Sequence, residues 1–234
     1  MIFLERLNLC DLYYSLDENK IKEIILMVEK KFQSQIKYLY FGSYFCPNYF
    51  LTLSNELLDK FNDYIIYLVI PICSENTLDS VKKKINLLHA NYYVINDFGM
   101  LNYLKNKKMI LGRLFFKDVR EPRIKDHKFG FTITNEIKRL INDYKIVEVE
   151  SESLSHFPYK NISSCHICEY ASISKEINKR FRANDTCKID CSRAFIEYDN
   201  YLKLGKGIYY LDDLDIKNGI YFPVGEYYEY FSTH

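Results

Sequence analysis

Cys165-His166-Ile167-Cys168 and Cys187-Lys188-Ile189-Asp190-Cys191 place two thiol pairs in one segment, with eighteen residues between the pairs. Thiols two or three residues apart can hold one metal from a single turn, and a second pair closes the site. Four thiolates in this C-x2-C-x18-C-x3-C spacing suit a tetrahedral zinc ion. A fifth cysteine, Cys46, opens a second option. It follows an expected strand in Gly42-Ser43-Tyr44-Phe45-Cys46-Pro47. In parallel α/β folds the carboxyl ends of strands gather functional groups. A 4Fe–4S cluster held by Cys46, Cys187, Cys191 and one of Cys165 and Cys168 would tie the terminal segment to such a sheet. The plainer role for Cys46 is that of a small apolar core residue, the role expected of Cys10 and Cys73, which sit among apolar residues that read as strand.

Two further groups have the residue types for chemistry. Arg113, Lys117, Arg120 and Arg123 crowd one stretch after an expected strand. Guanidinium groups bind carboxylates and phosphates in bidentate fashion, so this loop suits an anionic substrate; pairing with Asp97, Asp118 and Glu121 is the alternative. Asp97 stands where a strand closes and a helix opens, as an N-cap or as a partner of Arg113 or of substrate. Glu148, Glu150 and Glu152 alternate and so share one face of a strand, where Glu150 is a candidate acid or base if that face is the barrel interior. The five histidines, His89, His127, His156, His166 and His234, are scattered, and no serine elbow or zinc-protease motif is present.

The elements that must position these groups come from periodicity. Asn19 to Phe32 repeats Ile21, Ile24, Ile25 and Val28 at helical spacing. Further helices are expected over Leu53–Phe61, Thr77–Leu88, Phe98–Leu104 and Thr134–Ile141. Six strands are expected near residues 2–5, 36–41, 64–70, 92–95, 108–112 and 145–149. Apolar strands separated by amphipathic helices imply a parallel α/β core. About six such units fit a compact or incomplete (β/α) TIM-like barrel, with a doubly wound sheet as the alternative. From Phe157 the rhythm stops. Residues 1–156 read as the barrel-like core and 157–234 as a cysteine-rich segment of the same domain, with a β-hairpin over Tyr198–Leu202 and Ile208–Leu211 and one more strand at Ile220–Phe222.

Several of these stretches together resemble a known family. They are Ile36-Lys37-Tyr38-Leu39-Tyr40-Phe41-Gly42, the cysteine soon after it, Asn96-Asp97-Phe98-Gly99-Met100-Leu101 and Leu111-Gly112-Arg113. The likeness is to the collagenase-like peptidase family U-thirty-two. It is nearest to the non-proteolytic iron–sulfur branch, which includes accessory proteins of oxygen-independent ubiquinone hydroxylation. The resemblance implies a 4Fe–4S cluster on one early and three late cysteines, matched directly by Cys46, Cys187 and Cys191. Cys165 and Cys168 both remain open as the third late ligand. It also implies redox or hydroxylation chemistry on a small anionic or aromatic molecule, with a homologous protein subunit as partner. Peptide hydrolysis, which the wider family name suggests, and a zinc-stabilised binding module without catalysis are the alternatives.

Composition excludes some partners. The 234 residues are 48% hydrophobic and 27% charged, with a formal net charge of +1. Such a balance gives no electrostatic basis for nucleic-acid binding. No apolar run approaches the roughly 18 residues of a membrane span, and no secretory leader is recognisable. A cytoplasmic location is expected, where clustered cysteines more often bind metal than form disulfides.

Overall fold

Helix α1 (Glu18–Phe32) forms because Ile21, Ile24, Ile25 and Val28 make one buried stripe and both ends are capped. Asp17 Oδ1 accepts from the Lys20 N–H at 2.8 Å, and Gln33 takes a left-handed conformation at the other end. The computed structural model describes residues 5–10, 17–44, 46–112, 115 and 135–151, and beyond them 161–163, 166–169, 195–198, 201–204, 207–210 and 220–221; side chains are described as far as Glu150.

Strands β1 (Arg6–Asn8), β2 (Tyr38–Gly42), β3 (Ile65–Ile70), β4 (Tyr92–Ile95), β5 (Met109–Leu111), β6 (Glu148–Ser151) and β7 (Asn161–Ser163) lie side by side in chain order. An eighth, β12 (Ile220–Tyr221), returns to pair with β1. Every pairing in this sheet is parallel. Between β7 and β12 the chain forms a separate antiparallel sheet of β8 (His166–Glu169), β9 (Phe195–Tyr198), β10 (Tyr201–Leu204) and β11 (Gly207–Tyr210), in the order β8-β11-β10-β9.

Helices α2 (Pro47–Thr52), α3 (Asn55–Asp59), α4 (Glu75–Leu87), α5 (Phe98–Tyr103) and α6 (Asn135–Asp143) fill the connections. The strands are apolar toward the helices. Leu7, Leu39, Phe41, Leu68, Ile70 and Ile95 share one core with Ile21, Ile25, Val28, Val81 and Ile85. Alternate strand residues therefore face the other way. The sheet is strongly curved. Arg6 on β1 and Glu148 on β6 approach to 3.9 Å. In a flat sheet, five strand spacings of about 4.8 Å would hold their backbones roughly 24 Å apart, beyond the reach of both side chains. The architecture is α/β, with the parallel sheet rolled into a half-barrel.

Several expectations need correction. Of the strand expected at residues 2–5 only Glu5 is described, and the first described strand is Arg6–Asn8; among the described residues the parallel sheet has eight strands, with β7 beyond the expected set and β12 on the Ile220–Phe222 run. Residues 1–4 lie outside the described residues. The expected helix over Leu53–Phe61 is shorter and follows a separate one, because Leu53 is extended and Ser54 caps the second with its hydroxyl on the Leu57 N–H. The hairpin is Tyr201–Leu204 with Gly207–Tyr210, so the run beginning at Tyr198 divides between β9 and β10. Neither Cys10 nor Cys73 lies in a strand: Cys10 is in a turn beyond β1 and Cys73 in the loop after β3. Strands β7 and β12 join the parallel sheet from beyond residue 156.

Candidate functional site

The carboxyl ends of β3, β4 and β5 are braced by two residues. Asn96 is buried and its Nδ2 donates to the Ile70 carbonyl at 3.2 Å. Gly112 packs so closely on Asn96 that a Cβ there would overlap the amide side chain. Asp97 caps α5 by accepting from the Gly99 N–H at 2.7 Å, and its other oxygen accepts from the Cys73 N–H at 2.9 Å. Both oxygens thus fix backbone, which is the capping role expected for Asp97 with a second tie added. Cys73 donates its Sγ to the Pro71 carbonyl at 3.3 Å, and burial, then Asp97, push its thiol up to about 12. A neutral thiol of this kind is a poor nucleophile and a poor metal ligand.

Cys46 follows β2 as the N-cap of α2, with Pro47 at the first helical position. Its side chain adds no cap bond; its own N–H donates to Ser43 Oγ at 2.9 Å. It is 6% exposed and belongs to the helix-side core. Of the late cysteines, Cys168 lies in β8, where it pairs with Ile208. Cys165, Cys187 and Cys191 lie outside the described residues, as do Arg113, Lys117, Arg120, Arg123 and Glu152. Among the described residues, no three His, Cys, Asp or Glu side chains converge as a metal site.

Glu148 and Glu150 are both buried on the concave face of the half-barrel. Here a polar cluster joins strands far apart in sequence. The Arg6 guanidinium lies over the Tyr38 ring, 4.3 Å from its centroid. Tyr40, Tyr67 and Tyr92 stack in sequence across β2, β3 and β4, with centroids 4.5 and 4.8 Å apart. The Tyr44 hydroxyl donates to Glu150 Oε2 at 3.5 Å. Burial alone would lower the Arg6 pKa; Tyr40, Tyr67 and Glu148 outweigh it and hold the guanidinium charged. Burial likewise drives Tyr40 and Tyr67 far from ionisation.

The alternation of Glu148 and Glu150 put them on one strand face in the sequence, but nothing there joined them to Arg6, Tyr40, Tyr44 and Tyr67. The available signal was parity: Arg6 and Asn8 alternate, as do Tyr38 and Tyr40, so each pair marks one strand face. No family model matches the chain, and neither a curated protein nor a solved structure does. Among the described residues, no helix is long and apolar enough to cross a membrane.

Two variants test the cluster. The Tyr40 hydroxyl is fully buried with no hydrogen-bond partner among the described residues. Tyr40→Phe should therefore raise unfolding stability by about 1 kcal/mol, because a desolvated, unpaired hydroxyl is removed. A lower urea midpoint for this variant would show that the hydroxyl is satisfied. Glu148→Gln keeps the volume but leaves Arg6 with less opposing charge. It should lower stability by about 2 kcal/mol, less than the roughly 3–5 kcal/mol of a tightly made buried pair because the ions are 3.9 Å apart. Adding Arg6→Met should restore most of that loss; an additive further loss would show that the two charges do not support each other.

Proposed function

We propose that this chain is an iron–sulfur protein that holds a 4Fe–4S cluster over the carboxyl end of its barrel. The ligands in this reading are Cys46, Cys187, Cys191 and one of Cys165 and Cys168. One topological observation carries it. The connection bearing the late cysteines leaves the carboxyl end of β7 and returns at β12, and Cys46 leaves β2 at that same end of the parallel sheet. The extended backbone of β8 favours a single ligand from the first pair, because the knuckle that lets a CxxC pair grip one ion is a turn. The eight parallel strands, with β12 beside β1, also support a full TIM-like barrel closed between β7 and β12.

When bound, a 4Fe–4S cluster supplies one-electron transfer or a structural staple. In this reading the chain serves a redox or hydroxylation pathway in the reducing cytoplasm. Arg113, Lys117, Arg120 and Arg123 would receive a small anionic or aromatic molecule at the barrel mouth, and a homologous subunit would complete the assembly. Purification without oxygen tests the reading. A brown protein with broad absorption near about 400 nm, and iron and sulfide in equal amounts, is the expected result. A colourless protein carrying one zinc would replace the cluster with a structural ion on the late cysteines, and a metal-free protein would remove both.

A further inference from the structure

We draw no further inference here: the strongest candidate, the buried polar cluster of Arg6, Tyr40, Tyr67, Glu148 and Glu150 on the concave face of the half-barrel, has its carboxylates already engaged by Arg6 and Tyr44, and nothing in the described residues shows what would reach or occupy it.

Discussion

Gly42→Ala should destabilise the fold by roughly 3–5 kcal/mol, a large share of the 5–15 kcal/mol that holds a typical domain together. Two independent effects combine. Gly42 ends β2 with φ at +120°, in a region that residues with a Cβ rarely adopt. A Cβ at this position would also run into the backbone carbonyl of Val69 on β3. That obstacle cannot rotate away, because Val69 is in register with Gly42 and its carbonyl accepts from the Ser43 N–H at 3.1 Å. Relief would require β2 and β3 to separate at their carboxyl ends. Cys46, which caps α2 just beyond β2, would shift with them. Urea denaturation monitored by circular dichroism measures the loss. A change below about 1 kcal/mol, the ordinary size for a surface substitution, would mean that the strand end relaxes without strain.

The same geometry shows what was readable in the sequence and what was not. Helices α1 and α4 were legible because each has one apolar stripe, and β3 and β4 because apolar residues dominate both. Strand β1 was not, because Arg-Leu-Asn sends two of its three side chains toward a polar interior. Its apolar neighbours Ile2, Phe3 and Leu4 drew the expectation instead. Strand β7, Asn-Ile-Ser, carries a single apolar residue and offers no hydrophobic run either. A polar concave face removes the hydrophobic signal from the strands that line it. The site divides along similar lines. Glu148 and Glu150 were legible as a pair because their alternation is local. Arg6, Tyr40 and Tyr44 were not, since their grouping with the glutamates depends on the curvature that brings β1 and β2 across to β6. Asp97 was legible as a cap, but its bond to Cys73, from a loop 24 residues earlier, was not.

Cys46→Ala should abolish the absorption near about 400 nm in anaerobically prepared protein, whereas Cys10→Ala and Cys73→Ala should keep it. The three cysteines invite comparison because each follows the carboxyl end of one of three neighbouring strands, β1, β2 and β3. Their environments differ. Cys10 is fully buried in a turn that Asn8 fixes through the Cys10 N–H at 2.8 Å. Cys73 is held as a neutral thiol beside Asp97, with its pKa pushed up to about 12. A cluster ligand must be a thiolate, so this thiol would have to give up its proton against both burial and a neighbouring carboxylate. Cys46 ends the loop after β2 as the N-cap of α2, and in the proposed reading its thiol would turn from the helix-side core toward the cluster. Its 6% exposure is also what a purely structural core thiol would have, so the variant separates the two roles. Loss of a core thiol changes stability modestly and leaves bound iron and sulfide untouched. Loss of a ligand leaves one iron of the cube without its thiolate and the cluster labile, with the fold still detectable by circular dichroism. Folded Cys46→Ala protein that retains its full iron, sulfide and absorption would remove Cys46 from the ligand set. The metal would then rest on the late cysteines alone.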